Sequence, residues 1–367
     1  MNALCIHAGP RALAVLRERR LEPRHVRAIP AAAGGPKGLV LNALDQFIFG
    51  QWLTKLSAPV HLLGASIGAW RMAAACLDDP ARALAQMAED YLHQSYDHAP
   101  GKAPTPRHVS EVFGANLAAR FGHRAGEVLT NPRFRLHVFT SRGRHLLKRH
   151  GRALSSLSTP LGYAGSFAAN ALSRRAMSGW WERVIFSDPR DALPFHLHDY
   201  RTHTATLDAR NLPTSILASC SIPYWLDPVH DIPGGPRGAY WDGGITDYHL
   251  HLNYASMGDT DADRPALVLY PHFQQSIIPG WLDKFFKHRH RATAALSNLI
   301  VVSPNPAWIA TLPNGKLPDR TDFKFYGDDT AARVSVWSRV LKESERLRDE
   351  FAGWVDGRHP LDVKALA

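Results

Sequence analysis

Three short segments carry the residue types that acyl-ester chemistry needs. Gly64-Ala65-Ser66-Ile67-Gly68 sets a serine between two glycines, after the apolar run Val60-His61-Leu62-Leu63 and before the helix-forming stretch Ala69–Leu77. At a sharp strand-to-helix turn a serine takes a strained backbone conformation and projects its hydroxyl clear of the sheet. Gly64 and Gly68 suit that turn, because a side chain two positions away would crowd the helix or a neighbouring strand. The following helix brings its positive end toward developing negative charge. Serine is also a good helix cap, so the pattern alone leaves a purely structural role open.

Gly34-Gly35-Pro36-Lys37-Gly38 follows a second strand candidate, Val26–Ala33, and opens a helix that the spacing of Leu41, Leu44, Phe47, Ile48 and Trp52 carries through Trp52. Consecutive glycines let backbone N–H groups converge on an anion, which is the requirement of an oxyanion hole. A phosphate loop uses the same physics, but Lys37 is followed by Gly38 rather than Ser or Thr, and no G-x-G-x-x-G is present. Gly34 and Gly35 are the candidate donors, and Gly38 belongs to the turn. Lys37 either adds its field to an anionic substrate or pairs at the surface.

A serine hydroxyl is a weak nucleophile without a base in hydrogen-bond reach. His249, His251 and His272 could serve by chain order, in the Ser-Asp-His sense, though none stands in a distinctive setting. Asp242, at the end of Tyr240-Trp241 and followed by Gly243 and Gly244, has glycines that leave room for a second chain segment. A fixed carboxylate can take the proton directly. The bland alternative is a D-G turn joining strands.

The elements that must position these groups alternate. Strand, glycine turn and helix occur twice within about fifty residues, the pattern of an α/β core with a mainly parallel sheet. Further helices are expected at Ala12–Arg20, Ala81–Tyr91, Asn211–Ser219 and Asp329–Phe351, and strands at Arg133–Ser141, Thr202–Thr206 and Ala266–Tyr270. His98–Arg107, with three prolines, reads as an exposed loop. Residues 155–190 read as a helical insertion that covers or borders the site. No linker is visible, so one domain over 1–367 is expected, with its core motifs in 26–250 and a C-terminal elaboration in 251–367.

Composition narrows the partners. Lys and Arg number 43 against 33 Asp and Glu, a net charge of +10 that favours anionic partners. The basic residues are scattered and no nucleic-acid module is visible, so nucleic acid is not an expected partner. Cys5, Cys76 and Cys220 are too few and too far apart for a metal or disulfide framework, and they fit a reducing, cytoplasmic location. No metal or other cofactor is expected, and no run of apolar residues is long enough to span a membrane. Trp281, Phe285 and Phe286, interleaved with Lys284, Lys287 and Arg289, either dock peripherally on an anionic membrane or pack in a C-terminal core.

Ala33-Gly34-Gly35-Pro36-Lys37-Gly38, Gly64-Ala65-Ser66-Ile67-Gly68 and Asp242-Gly243-Gly244 together resemble the patatin-like phospholipase family. Ala218-Ser219-Cys220-Ser221-Ile222-Pro223 with Pro228 agrees with it. The resemblance implies a three-layer α/β/α fold related to the α/β hydrolases. It also implies a Ser–Asp dyad without catalytic histidine, acting on lipid or phospholipid esters without a metal. Ser66 then matches the nucleophile, Asp242 its base, Gly34 and Gly35 the oxyanion loop and Lys37 its basic position. The chain departs from the family where Ala33 replaces the loop's first glycine and where Ile245-Thr246-Asp247 follows Gly244. The competing expectations are a small-ester hydrolase with a Ser-Asp-His triad and a non-enzymatic scaffold retaining the fold.

Overall fold

The computed structural model describes all residues except 57, 99–101, 149–154, 198 and 260–263, and the side chains of 155–159. Strands β1 (Leu4–Ala8), β2 (Val26–Ala31), β3 (Val60–Ala65), β4 (Phe134–Gly143), β5 (Trp181–Ser187) and β6 (Thr202–Thr206) come first in the chain. β7 (Val229–His230), β8 (Ala239–Trp241), β9 (Leu267–Pro271), β10 (Leu299–Pro304) and β11 (Val363–Ala365) follow. All join one sheet in the order β11-β1-β10-β9-β2-β3-β4-β5-β6, with β8 pairing β4 and β7 pairing β8.

The centre, β10-β9-β2-β3-β4, is parallel throughout. β1 and β5 run antiparallel to their inner neighbours, which makes the sheet mixed. β3, β9 and β10 are buried along their whole length, as a parallel sheet covered on both faces requires. Helices flank it in the expected three-layer α/β/α manner. The helix Ile67–Ala75 packs on β2, β3 and β4, Leu212–Cys220 packs on β4 and β8, and Glu345–Val355 packs against β1. Among the described residues no helix is long and apolar enough to cross a membrane.

Several elements differ from the sequence expectation. The helices Ser155–Leu172 and Arg174–Met177 agree with the helical reading of 155–190, but Trp181–Ser187 is a fully buried strand of the sheet. Glu182 and Arg183 hide that strand in the sequence, because their charges are neutralised only by distant partners such as Arg142, Asp247 and Asp199. The expected helix Asp329–Phe351 is two helices, Thr330–Glu343 and Glu345–Val355, parted at buried Ser344, whose hydroxyl donates to the Leu341 carbonyl at 2.6 Å. Of the proline-rich stretch His98–Arg107, residues 99–101 lie outside the described residues, and Pro106 already opens the helix Pro106–Phe121. Proline is favoured in the first helical turn, where its missing N–H is not needed. β1 and β10 had no counterpart in the sequence reading.

Candidate active site

β3 delivers the chain to Ser66 and the helix Ile67–Ala75 takes it away. Ser66 has φ 56° and ψ −130°, a conformation that side chains rarely adopt and that only firm surroundings sustain. Those surroundings are specific. The Ser66 N–H donates to Ser219 Oγ at 2.8 Å, and the Ser219 hydroxyl donates in turn to the Phe139 carbonyl of β4 at 2.6 Å. A β-carbon on Gly68 would stand 1.9 Å from the Ala31 carbonyl oxygen, and one on Gly64 would stand 2.4 Å from Ala69 Cα. Glycine at both places is what lets the turn close against β2 and its own helix.

Asp242 lies just beyond β8. Its N–H donates to the Ser221 carbonyl at 2.9 Å and the Gly243 N–H to the Ser219 carbonyl at 3.0 Å, so the end of the helix Leu212–Cys220 sets the position of both. Gly243 passes so close to β4 that a β-carbon would meet the Phe139 carbonyl oxygen at 2.1 Å. The Gly244 N–H donates to Asp242 Oδ1 at 2.7 Å, and the Ser66 hydroxyl donates to Oδ2 at 2.6 Å, across 176 positions of sequence. Ser66 is 2% exposed and Asp242 6%. Burial raises the carboxyl above the ordinary range. The Ser66 hydrogen bond, the charge of Arg320, the Gly244 N–H and the charge of Lys284 pull the other way without cancelling it.

The glycine loop runs beside this pair. The Ala33 N–H is committed to the Tyr248 carbonyl at 2.9 Å, so it is not free for an anion. Gly35, with φ 55°, begins a short helical segment, Gly35–Leu41, whose opening N–H groups have no partner within the turn. A cavity of about 220 Å³ is lined by Gly34, Lys37, Asp242, Gly244, Tyr248 and Lys284, among others. A smaller one of about 60 Å³ is lined by Gly35, Ser66 and a mainly apolar set that includes Ile67, Phe113 and Leu226. The larger cleft of about 390 Å³ along Asp78, Arg82, Asp90 and Arg120 contains neither Ser66 nor Asp242.

The candidate histidines lie elsewhere in the bonding scheme. His249 and His272 are fully buried and approach each other at 3.1 Å, and His249 Nδ1 accepts from the Ile278 N–H at 2.9 Å. Burial keeps both neutral, His272 being lowered to about 3. His251 approaches Thr293 at 3.4 Å. Among the described residues, none of the three is hydrogen-bonded to Ser66 or Asp242.

Trp281 and Phe286 are partly buried, and Phe286 stacks on Phe167 at 5.8 Å, whereas Phe285 is 72% exposed. Arg289 is drawn inward to Asp283 at 2.8 Å. The tether from Ser219 and the approach of Arg320 were not foreseen as parts of the site. Ser219 lies in the segment Ala218–Pro223 that agrees with the family, whereas Arg320 has no local pattern that could have marked it.

Residues 34–249, more than half of the chain, match the family described as patatin-like phospholipase. The chain belongs to the patatin-like phospholipase family. Membership supports lipid acyl hydrolase activity in general, and it agrees with the mixed α/β/α sheet. The patatin-like region begins at Gly34 and ends at His249, so the segments carrying Lys284 and Arg320 lie beyond it. No curated protein matches the chain.

Proposed function

We propose that this protein is a serine acyl-ester hydrolase acting on lipid or phospholipid esters, with Ser66 as nucleophile and Asp242 as its base. The observation that carries the reading is the 2.6 Å bond from Ser66 Oγ to a buried carboxylate whose proton affinity is raised. A carboxyl so placed is a better proton acceptor than an ordinary one and has no competing cation in hydrogen-bond contact.

In the proposed cycle Asp242 takes the Ser66 proton as Oγ attacks the acyl carbonyl carbon. The N–H groups of Gly34 and Gly35 hold the oxyanion, the C–O bond to the alcohol breaks, and Asp242 returns the proton to the departing alkoxide. Water then attacks the acyl-enzyme, its proton passing to Asp242 and from there to Ser66 Oγ as the fatty acid leaves. The histidine-dependent alternative lacks the contact it needs, since His249 and His272 bond to each other and to backbone.

A fluorophosphonate probe tests the nucleophile. Wild-type protein should label once, at Ser66 by peptide mapping, and Ser66→Ala should neither label nor hydrolyse p-nitrophenyl butyrate. Labelling at another serine, or turnover by the variant, would falsify the assignment.

The location that fits three free cysteines and the exposed surface is cytoplasmic, with peripheral contact at an anionic membrane. Leu161, Phe167, Leu172 and Phe285 are exposed along the helix Ser155–Leu172 and the turn next to it, with Lys287 nearby in sequence. Apolar side chains beside basic ones suit the headgroup boundary. Flotation with phosphatidylglycerol vesicles should recover the protein and should weaken on Phe285→Ser. Equal recovery with purely zwitterionic vesicles would remove the anionic part of this reading.

A further inference from the structure

Among the described residues many buried or half-buried cations have a carboxylate, although buried Arg333 has only the Gln94 carbonyl and two aromatic faces. Arg71 pairs with Asp45 at 2.8 Å, Arg183 with Asp247 and Asp199, and Arg289 with Asp283. The cavity beside Asp242 is different. Lys37, Lys284 and Arg320 all line it, and among the described residues none of the three forms an ion pair. The other lining carboxylate, Asp319, is taken by Lys316 at 3.0 Å and by the Thr321 hydroxyl and N–H.

Lys37 and Arg320 are half-buried, and Lys284 is exposed but lies over an aromatic face. Lys284 lies with its ammonium 4.0 Å from the Tyr248 ring centroid. It stands on the short helical turn Trp281–Phe285, which neighbouring Asp283 anchors through Asn170 at 2.9 Å, Arg289 at 2.8 Å, Arg174 and the Gly280 N–H. Arg320 leads into the helix Thr321–Tyr326, which Asp322 fixes by accepting from Trp337 Nε1 at 2.9 Å and pairing with Lys316 at 2.7 Å. The Arg320 side chain reaches the oxyanion loop, where a β-carbon on Gly35 would lie 3.2 Å from its Nε. Lys37 stands over the Phe273 ring at 5.7 Å.

We propose that Lys284, Arg320 and Lys37 form a binding site for an anionic group, phosphate or carboxylate, carried by the ester that Ser66 attacks. The inference rests on the proposed role of Ser66 and names the kind of substrate that role serves. Crowding of like charge supports it. Arg320 and Lys37, after desolvation, hold the Lys284 ammonium down to about 8, and a bound anion would relieve that repulsion. An arginine fork with two ammonium groups matches the oxygens of a phosphate. The apolar cavity on the Ser66 side shares only Ile222 with this lining, so the acyl chain and the anionic group have separate places. Two of the three cations come from the chain beyond the family match, which makes the preference a property of this protein's C-terminal part.

Two measurements test the site. The first is independent of catalysis: inorganic phosphate is titrated into Ser66→Ala protein by calorimetry, and into the same protein carrying Lys284→Gln and Arg320→Gln. Saturable binding that weakens by at least about tenfold in the triple variant is expected. No saturable binding to Ser66→Ala overturns the proposal even if the hydrolase reading stands.

The second compares wild-type kcat/KM for 1-butyrylglycerol 3-phosphate and 1-butyrylglycerol, and for phosphatidylglycerol and phosphatidylcholine vesicles. A preference for the anionic ester of roughly tenfold or more, lost when Lys284 and Arg320 are replaced, supports the site. The pair that shows it tells a soluble phosphoester from a lipid headgroup. Equal rates within both pairs overturn the proposal. Hydrolysis of none of the four defeats the Ser66 reading instead, and the phosphate titration then judges the site alone.

Discussion

Asp242 and Asp247 are five residues apart, both almost wholly buried, and built for opposite ends. Asp247 receives the Arg183 guanidinium through both oxygens, at 2.7 and 2.5 Å, and the Thr246 hydroxyl at 2.8 Å. Its charge is neutralised and its lone pairs are used, so it can only hold structure. Asp242 receives one hydroxyl and one amide, with Arg320 and Lys284 acting on it through space. Burial costs the first carboxylate little because a cation came with it. It leaves the second short of partners, and that shortage suits the role of base proposed for it.

The sharpest way to break this contrast is to remove each charge in turn. Asp242→Asn keeps the shape but cannot accept the proton, so kcat should fall by about four orders of magnitude. Its stability should move the other way. The folded carboxyl has a raised pKa, so its contribution to stability is present below the unfolded value near 3.8 and is lost as pH rises through the folded one. At neutral pH the buried charge therefore opposes folding, and the Asn variant should melt at or above the wild-type temperature in a calorimetric scan. A clear drop in melting temperature would mean that Asp242 is structural after all.

Asp247→Ala should show the mirror image. Leaving Arg183 buried without its partner should cost about 3–5 kcal/mol in urea unfolding. Turnover per folded molecule should change far less than in Asp242→Asn. A stability loss below about 1 kcal/mol would show that Asp199 alone satisfies the guanidinium.

A smaller effect concerns pH. If Asp242 is the base proposed above it must be ionised, so kcat/KM should fall on the acid side through an apparent pKa above the ordinary carboxyl value. Arg320 favours the ionised form, and Arg320→Gln should shift that acid limb to higher pH. A shift to lower pH, or none, would remove Arg320 from the electrostatics of the site. The smallest change is expected from His249→Ala with His272→Ala. The double variant should keep turnover of the folded protein within a few-fold, whereas collapse would restore the triad.

How much of this was legible in the sequence follows the range of the interactions. The Ser66 turn could be read because its requirements are local: an apolar run, two glycines and a helix within about twenty residues. Asp242 was weaker by itself, since D-G also makes ordinary turns, and it became a candidate through company with the other two segments. Ser219 lay inside a segment that resembles the family, yet its tether to the Ser66 amide depends on a helix docking across β4. Arg320 had no signal at all, because nothing near it in the chain differs from a surface loop. β5 was missed for a related reason. Its charges look solvent-exposed until Asp247, Asp199 and Arg142 arrive from elsewhere.

The bridge from the Ser66 amide through Ser219 to β4 also bears on how a newly made chain behaves. Contacts across such long stretches of sequence close a large loop and form slowly. Until the stretch from Leu212 to Gly244 has settled, the turn at Ser66 lacks both its tether and its carboxylate. On the proposed mechanism a nascent or half-folded copy is chemically silent, and recovery of turnover after dilution from denaturant should time the final seating of that stretch rather than the first appearance of helix and sheet.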